Sequence, residues 1–590
     1  MSIRTTDPRI EKNPGELALP PNLLDYERQR SEFTWRQVRR ELAAAEGAGL
    51  NIAVQAVDRH VASGLADHTA IRWLGKSGDL RELSYGELET LTRRFAALLQ
   101  DLGVVKGEAV FTLCGRLPEF YIATLGALRN GNVVCPLFAS FGPEPIRARL
   151  SLGRAKVLVT TERLYRRKVE ELRAQLPDLE HVLLVDSSAT ELAGARGLPT
   201  LLETVEPLQS TASTGAEDAA LLHFTSGTTG TPKGAVHDHA SVLVHYQTGK
   251  WVLDLRTEDV FWCTADPGWV TGTSYGVIAP LVNGATLFVD ESDFDVERWY
   301  DNLARQAISV WYTSPTAIRM LMKFGAERAQ SRKYPRLRLI ASVGEPLNPQ
   351  AVWWGRDVFG LPIHDTWWQT ETGGIMVANY PAMDIKPGSM GRPLPGVEVA
   401  IVERRDDGSV DAAIEGEASG ELAIRRGWPS MFRGYVGEQE RYTECFAGDW
   451  YLTGDLARRD EEGYYWFVGR SDDAIQTAGH LIGPFEVENV LMEHPAVAEA
   501  GAVGLPAPLA HEVVHAFVTL KPDFEPSDSL RDDLMAHARK RLGPAVAPRG
   551  LSFRSELPKT SSGKILRRVM RDHYLQDERP QAGSEESRRT

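Results

Sequence analysis

The chain has 590 residues, of which 43% are hydrophobic and 25% are charged. Both fractions are ordinary for globular proteins, and they exclude a wholly disordered chain, a collagen-like fibre and a small disulfide scaffold. The 66 basic and 80 acidic residues give a net charge of −14, so the overall basic charge expected of a nucleic-acid-binding protein is missing. We therefore expect no nucleic acid as a partner. At roughly 100–200 residues per domain, the length predicts several domains.

The cysteines and the N-terminus predict the compartment. Cys114, Cys135, Cys263 and Cys445 are widely spaced and form no CxxC pair. This spacing indicates neither a zinc site nor a disulfide framework, and it favours buried thiols in a reducing compartment. The N-terminus has no apolar stretch of the kind found in signal peptides, and no apolar run reaches the roughly 18 residues of a membrane span. We expect a cytoplasmic protein that does not bind membranes.

Helical patterns alternate with short apolar strands along the chain, which is typical of α/β folds. The periodicity predicts helices over residues 85–102 and 120–130. It predicts strands over residues 108–113, from residue 133, and over residues 155–160, 220–224 and 337–341. Gly/Thr-rich or Gly/Pro-rich loops follow the last two strands. Ligands of open α/β sheets tend to lie at such strand ends.

Composition also suggests the domain boundaries. Residues 1–30 and 576–590 lack sustained periodicity, so we predict that both are flexible. The apolar pattern pauses at Ser471-Asp472-Asp473, and a compact unit of about 100 residues follows. We therefore predict a large domain over residues 31–471 and a small domain over residues 472–575.

The loop at residues 225–234 reads Thr-Ser-Gly-Thr-Thr-Gly-Thr-Pro-Lys-Gly and follows an apolar strand. Glycines let backbone N–H groups approach a phosphate, hydroxyl groups add donors, and a lysine adds charge. Most Ser/Gly-rich loops are only flexible connections, but the preceding strand favours a functional role. The loop does not fit the Walker pattern, because Pro232 stands where the second glycine is required. The candidate nucleotide-binding residues are Thr225, Ser226, Gly227, Thr228, Thr229 and Lys233.

As a ten-residue string, this loop resembles the signature of the adenylate-forming superfamily, which includes acyl-CoA synthetases, luciferases and peptide-synthetase adenylation domains. The resemblance covers roughly residues 30–575, and its form is that of the short-chain acyl-CoA synthetase group, typified by acetyl-CoA synthetase. It implies an α/β fold with a large N-terminal domain of layered α/β subdomains and a small mobile α+β C-terminal domain. It also implies that ATP, Mg²⁺ and coenzyme A are bound.

Two further motifs carry the resemblance to a nucleotide site. Gly344-Glu345-Pro346 resembles the adenine-side loop of the superfamily, although such turns are common. The stretch from Asp365 to Gly373, Asp-Thr-Trp-Trp-Gln-Thr-Glu-Thr-Gly, is much more specific. The resemblance places the motif residues as follows: Asp365, Thr366 and Trp367 at the adenine, Gln369 and Thr370 at the nucleotide with Thr370 on the α-phosphate, and Glu371 on Mg²⁺, for which a carboxylate is a suitable ligand.

Asp455 and Arg470 lie on either side of a predicted hairpin turn at residues 460–463. The midpoint between them falls beside that turn, so strand pairing would place them opposite one another. A structural cross-strand ion pair would explain this arrangement on its own. The resemblance instead implies that Asp455 accepts the ribose hydroxyls of ATP and that Arg470 holds it in place.

The C-terminal segment Pro558-Lys-Thr-Ser-Ser-Gly-Lys564 resembles the catalytic motif of the superfamily. Lys564 would then stabilise charge on the α-phosphate and carboxylate during adenylation. Asp472 matches the hinge residue around which the small domain rotates. Gly479 and Arg539 match positions that contact coenzyme A. Acylation of Lys564 would remove its charge, so a lysine acyltransferase or deacylase is a possible partner.

The resemblance also predicts the acyl substrate. Trp368 matches the tryptophan that blocks the far end of the acyl pocket, and Val270, Thr271 and Val343 match other pocket walls. An indole fills the volume that a longer chain would need. The resemblance therefore implies an AMP-forming acetate:CoA ligase that works through an acetyl-adenylate and also tolerates propionate.

Three alternatives stay open. The first is a synthetase for medium-chain or branched acids, which Trp368 disfavours. The second is an adenylating enzyme that transfers to an acceptor other than coenzyme A. The third is a nucleotide-binding homologue with weakened catalysis, because Leu481 replaces an arginine that usually contacts the phosphate and Ala478 replaces a serine near the coenzyme A tunnel.

Overall fold

The computed structural model describes residues 9–42, 49–187, 194–225, 232–477, 480–507, 511–543, 546–559 and 564–577. The helices of these residues are α1 (Tyr26–Glu32), α2 (Trp35–Glu41), α3 (Tyr85–Asp101), α4 (Pro118–Arg129), α5 (Pro143–Leu152), α6 (Glu162–Lys168), α7 (Leu198–Thr204), α8 (Ser241–Trp251), α9 (Val270–Thr273), α10 (Ala279–Val282), α11 (Val296–Arg305), α12 (Pro315–Lys323), α13 (Glu327–Gln330), α14 (Pro349–Phe359), α15 (Gln439–Glu444), α16 (Pro484–Met492), α17 (Asp528–Leu542) and α18 (Arg567–Asp577).

The strands of the same residues are β1 (Thr69–Leu74), β2 (Leu80–Ser84), β3 (Ala109–Leu113), β4 (Val133–Pro136), β5 (Ala155–Thr160), β6 (His181–Leu184), β7 (Arg196–Gly197), β8 (Ala219–Thr225), β9 (Lys233–Asp238), β10 (Val260–Cys263), β11 (Thr286–Asp290), β12 (Val310–Thr313), β13 (Leu339–Ser342), β14 (Ile363–Trp367), β15 (Val377–Ala378), β16 (Arg392–Pro393), β17 (Val399–Arg404), β18 (Val410–Ala413), β19 (Ala418–Arg425), β20 (Gly434–Tyr435), β21 (Phe446–Ala447), β22 (Trp450–Arg459), β23 (Tyr465–Arg470), β24 (Ile475–Thr477), β25 (His480–Ile482), β26 (Val497–Ala507), β27 (His511–Leu520) and β28 (Gly550–Phe553).

The predicted helices and strands are all present, with ends within two residues of the expected ones. Local signals explain several of these ends. Ser84 and Glu87 form a capping box at the start of α3, which satisfies backbone donors that no helical carbonyl can reach. Helix α14 begins at Pro349 and stops at Gly360, whose φ of +73° suits glycine.

Two mainly parallel sheets form the body of the chain, in the orders β20-β9-β8-β4-β3-β5-β6-β7 and β16-β15-β14-β13-β12-β10-β11-β1-β2. Their central strands are buried on both faces, as parallel strands covered by helices must be. Strands β8, β13 and β14 all lie within these sheets. Their carboxyl ends carry three of the predicted nucleotide-binding segments.

An antiparallel sheet in the order β18-β17-β19-β22-β21, with β23 paired to β22, follows in the chain. The predicted hairpin at 460–463 joins β22 to β23, and Asp455 pairs directly with Arg470. Strands β24 to β28 form the last sheet, which packs with α16 and α17 around a separate apolar cluster. This arrangement is consistent with the predicted small domain over residues 472–575, whose boundaries remain a prediction.

The N-terminal segment differs from the prediction. Residues 1–8 lie outside the described part, but residues 9–30 are packed against the large body rather than flexible. Ile10 forms a β-bridge with Ile385, and both side chains are buried. The Lys12 backbone N–H donates to Asp384, and the Arg9 guanidinium pairs with Glu462. The scattered apolar residues Ile10, Leu23 and Tyr26 bury individually, so they produce no periodic signal.

The four cysteines are free thiols, with Cys114, Cys135 and Cys263 buried and Cys445 half-buried. Within the described ranges, none of the helices combines the length and the apolar character needed to cross a bilayer.

Candidate active site

Asp455 accepts hydrogen bonds from three other predicted site residues. Its Oδ1 accepts a hydrogen bond from Arg470 Nη1 at 2.8 Å. Its Oδ2 accepts from Trp367 Nε1 at 2.9 Å and from Gln369 Nε2 at 3.0 Å. Asp455 is only 4% exposed, so its carboxylate has lost most of its water, and these donors compensate for that loss. Residues from β14, the turn after it, β22 and β23 therefore meet at one carboxylate.

Arg470 connects this cluster to the predicted hinge. Besides its bond to Asp455, its Nε lies 3.4 Å from Asp472 Oδ1. Burial opposes the charge of the guanidinium, but the Asp455 and Asp472 carboxylates outweigh burial and raise the pKa of Arg470 above its usual value. Arg470 thus remains a fixed cation between the two carboxylates.

The predicted adenine-side residues lie next to one another at the ends of β13 and β14. Ser342 Oγ donates to Asp365 Oδ1 at 3.0 Å, and Thr366 Oγ1 donates to the Ser342 carbonyl at 2.7 Å. Burial raises the pKa of Asp365 to about 7, despite the Ser342 hydrogen bond that lowers it. Gly344 has φ +94°, a conformation that favours glycine at this turn.

Glu345 in the adenine-side loop is held by helix α12, which precedes the loop in the chain. Glu345 accepts from Arg319 Nη2 at 2.6 Å and from Thr316 Oγ1 at 2.6 Å, and Pro346 is half-buried. The loop at residues 344–346 is therefore anchored from α12.

Glu371 is held by a residue that the sequence did not point to. The Tyr435 hydroxyl donates to Glu371 Oε1 at 2.8 Å, and Lys233 Nζ lies 5.5 Å from the Tyr435 ring centroid. Burial and the Glu371 carboxylate raise the pKa of Tyr435 well above its usual value, so the phenol stays protonated and can donate. Tyr435 reaches this place because β20 pairs with β9, which begins at Lys233. No local pattern around Tyr435 would have revealed this contact.

Two buried histidines support the turn that carries Thr370 and Glu371. His237 Nδ1 lies 3.0 Å from the Ser430 carbonyl, and His245 Nε2 lies 2.7 Å from the Gly373 carbonyl. A carbonyl can only accept, so these ring nitrogens carry the protons. Burial lowers the pKa of His237 to about 4, which keeps the ring neutral. Neither histidine belongs to a recognisable motif, so the sequence alone does not point to them.

The four predicted acyl-pocket residues are buried or half-buried. The Trp368 ring packs edge-on against Tyr275 at 5.2 Å, and its Nε1 donates to the Tyr312 hydroxyl at 3.4 Å. Val270 and Thr271 are the first two residues of α9, and Thr271 is buried. Val343 is buried at the end of β13.

Lys564 lies close to the residue that precedes α9. Its Nζ is 5.8 Å from the ring centroid of Trp269, the residue directly before Val270. A cleft of about 380 Å³ opens nearby, where Thr264 and Ser314 follow β10 and β12 and where Lys559 of the same C-terminal motif forms part of the wall. The C-terminal motif therefore meets the strand ends of the large body.

The other predicted residues lie on β8, β9, α17 and β25, or outside the described residues. Thr225 ends β8 and Lys233 begins β9 directly opposite it, but Ser226, Gly227, Thr228 and Thr229 lie outside the described residues. Gly479 and Ala478 also lie outside them. Arg539 is on α17 and is exposed, and Leu481 lies on β25 opposite Gln476.

Asp455 is thus a buried carboxylate held by three donors, Glu371 is a carboxylate held by a tyrosine hydroxyl, and Lys564 lies near Trp269. The family model described as AMP-binding enzyme matches residues 58–436, and the model of the AMP-binding enzyme C-terminal domain matches residues 486–564. The chain belongs to the family of AMP-binding enzymes.

Individual relatives agree with this assignment. The chain is 43% identical to an acetyl-coenzyme A synthetase of Bacillus subtilis over 93% of this chain and 95% of that protein. It is 38% identical to an acetyl-coenzyme A synthetase of Chlorobaculum tepidum over 89% of this chain and 82% of that protein. Among solved structures, the anthranilate CoA ligase AuaEII in complex with anthranoyl-AMP superposes with a TM-score of 0.81 at 27% identity, covering 90% of this chain and 98% of the other. The predicted fold, a large N-terminal α/β domain with a small C-terminal domain, is confirmed.

Proposed function

We propose that this protein is an AMP-forming acetate:CoA ligase that makes acetyl-CoA from acetate, ATP and coenzyme A. The observation that carries the proposal is the position of Lys564, whose ammonium lies 5.8 Å from the Trp269 ring and hence beside the predicted acyl pocket. Relatives named acetyl-coenzyme A synthetase, at 38–43% identity over most of the chain, support the same conclusion.

In the first half-reaction, a carboxylate oxygen of acetate attacks the α-phosphorus of ATP. The bond to the bridging oxygen breaks, and pyrophosphate leaves with the electron pair. Lys564 supplies positive charge where negative charge develops on the transferring oxygens. Asp455 accepts the ribose hydroxyls, and its contacts to Trp367, Gln369 and Arg470 keep the carboxylate in one orientation.

In the second half-reaction, the coenzyme A thiolate attacks the carbonyl carbon of acetyl-adenylate, and AMP leaves as the carbon–oxygen bond breaks. Lys564 has no role in this step. The small domain rotates about Asp472 and moves Lys564 away from the reacting groups. The half-exposed Asp472 side chain and its 3.4 Å contact with Arg470 fit a residue that exchanges partners during rotation. We assign Gly479 and Arg539 to coenzyme A on resemblance alone.

We assign Mg²⁺ to Glu371. Magnesium usually binds through one or two carboxylates together with substrate phosphates, and a carboxylate oriented by the Tyr435 hydroxyl fits that donor set. When bound, the ion neutralises charge on the phosphate oxygens. Thr370, in the same turn, remains our candidate for the α-phosphate.

Acetate selectivity is assigned to Trp368. Its indole is wedged between Tyr275 and Tyr312, so it cannot move aside without losing both contacts. Close-packed walls of this kind exclude longer chains, because overlap in a packed interior is costly. We place Val270, Thr271 and Val343 in the walls, and we expect propionate to be tolerated.

Regulation by acylation of Lys564, with a lysine acyltransferase and deacylase as partners, stays a prediction, as does a cytoplasmic location. Exposure of the Lys564 side chain is consistent with such a modification. An enzyme stoichiometrically acetylated at Lys564 should form no acetyl-adenylate. Normal adenylate formation by that enzyme would contradict the role given to Lys564.

The proposal is tested by measuring AMP release with ATP, Mg²⁺ and coenzyme A across straight-chain acids from acetate to octanoate. A sharp fall after propionate is expected. An optimum at four or more carbons would identify a medium-chain synthetase and overturn the role of Trp368. ATP binding without AMP release for any acid would identify a nucleotide-binding homologue with weakened catalysis.

A further inference from the structure

The loop that carries Lys564 is closed at its base. Lys559 forms a β-bridge with Ile565, and the Leu566 backbone N–H donates to the Pro558 carbonyl at 2.9 Å. On the entering side, Lys559 Nζ pairs with Glu499 of β26 at 2.5 Å. The position of Lys564 relative to the rest of the small domain therefore also depends on the contacts of the residues that directly follow it.

Arg567 anchors the chain directly after Lys564. Its Nε and Nη2 donate to the two oxygens of Glu488 at 3.0 and 2.8 Å, and its Nη1 donates to Asp473 Oδ2 at 3.2 Å. Glu488 is only 3% exposed and also accepts from the Ala502 backbone N–H at 2.9 Å. A planar guanidinium that bridges two carboxylates is fixed in direction as well as in place, which an ammonium would not be.

The contact between Arg567 and Asp473 matters because of the position of Asp473 in the chain. Asp473 directly follows the hinge residue Asp472 in the chain. Arg567 follows Lys564 by three residues. One guanidinium therefore ties the Lys564 loop to the first residues of the small domain, while Glu488 ties it to α16.

We propose that Arg567 is a positioning residue that sets the approach of Lys564 to the reacting phosphate through its bridge to Asp473 and Glu488. The inference rests on the proposed function, because it needs Lys564 to act in adenylation. Arg567 itself touches no reacting atom in this role. A displacement of about 1 Å in a catalytic group can cost on the order of 100-fold in rate, so the bridge matters for chemistry even where it matters little for folding.

The test separates the two half-reactions. Adenylation is followed as carboxylate-dependent exchange of pyrophosphate into ATP, and thioester formation is followed from purified acetyl-adenylate and coenzyme A. The variants are Asp473→Asn, which keeps the Glu488 pair, and Arg567→Lys, which keeps the charge but loses the fork. The matched control is Arg568→Ala, because Arg568 is 82% exposed and pairs, at 3.9 Å, with Asp572 of its own helix. Thermal melting of each variant is recorded.

We expect both variants to lower kcat of exchange by at least about tenfold with little change in KM for ATP, because the bridge orients a group that acts in the transition state. Thioester formation should change by less than about threefold, since it does not use Lys564. The control should match the wild type in both assays. Equal losses in both half-reactions, or exchange at the wild-type rate in Asp473→Asn, would overturn the positioning role. An inactive wild type in the exchange assay would overturn the proposed function itself, and this role with it.

Discussion

The Asp455 cluster makes a sharp prediction for the Asp455→Asn variant. An asparagine offers one acceptor and one donor in place of two acceptors. Its amide nitrogen must face either Arg470, or both Trp367 Nε1 and Gln369 Nε2, and each of these groups is a donor. The less costly orientation keeps the Trp367 and Gln369 bonds and loses the one to Arg470.

The size of the effect on nucleotide binding follows from replacing the charged acceptor of the ribose hydroxyls by a neutral amide. A hydrogen bond to a charged group contributes about 1.5–3 kcal/mol. Asp455 is 4% exposed, so water screens little of this energy. At about 1.4 kcal/mol per factor of ten, the loss corresponds to roughly 10- to 100-fold weaker nucleotide binding. Because the role proposed for Asp455 is to bind the ribose and not the reacting phosphate, the loss should appear in KM for ATP with kcat nearly unchanged.

The assay is steady-state AMP formation with ATP varied at saturating acetate and coenzyme A, and then with acetate varied. The matched control is Asp460→Asn. Asp460 lies in the turn of the same hairpin and pairs with Lys386, and it does not contact the Asp455 cluster. The control should keep the wild-type KM for ATP. A wild-type KM for ATP in Asp455→Asn, or a rise confined to the KM for acetate, would refute the assignment.

Three further predictions concern other parts of the site. Trp368→Gly should accept butyrate and longer acids, with kcat/KM rising about fourfold per added methylene, because each buried methylene contributes about 0.8 kcal/mol. Tyr435→Phe should raise the Mg²⁺ concentration for half-maximal rate by about tenfold, because loss of a residue that orients a metal ligand costs about 10- to 100-fold in affinity. Asp365, whose pKa rises from 3.8 to about 7 on folding, stabilises the folded state below pH 4 and loses this contribution as the pH rises through 7. Relative to Asp365→Asn, the wild-type free energy of unfolding should fall by about 2–3 kcal/mol between pH 5 and pH 8 in urea titrations.

Each of these predictions has a contrary outcome. An unchanged chain-length profile in a folded Trp368→Gly variant would remove Trp368 from the pocket floor. A Tyr435→Phe variant with a normal Mg²⁺ requirement but a higher KM for acetate would contradict the assignment of Mg²⁺ to Glu371. Parallel pH profiles of stability for the wild type and Asp365→Asn would show that Asp365 is ionised throughout.

Much of the fold was predictable because its signals are local. The pairing of Asp455 with Arg470 followed from the midpoint between them, which falls at the polar turn, since hairpin pairing is fixed by the turn between the strands. Helix α3 followed from its apolar spacing, and its start at Tyr85 is fixed by the capping box at Ser84.

The supporting residues were not predictable, because their contacts join distant parts of the chain. Tyr435 lies 64 positions from Glu371 and sits on a two-residue strand that only tertiary pairing defines. His237 meets the Ser430 carbonyl across 193 positions. The N-terminal segment was misjudged for the same reason, because Ile10 is ordered by a bridge to Ile385 and not by any helix or strand of its own.

Arg470 ends strand β23, and it pairs with both Asp455, the proposed ribose ligand, and Asp472, the proposed hinge residue. Under these proposed roles, nucleotide affinity and hinge angle are linked equilibria, because both depend on the position of one cation. A ligand that draws Arg470 towards Asp455 weakens its hold on Asp472 and so shifts the hinge population. By reciprocity, the hinge state that this ligand favours must bind it more tightly by the same factor.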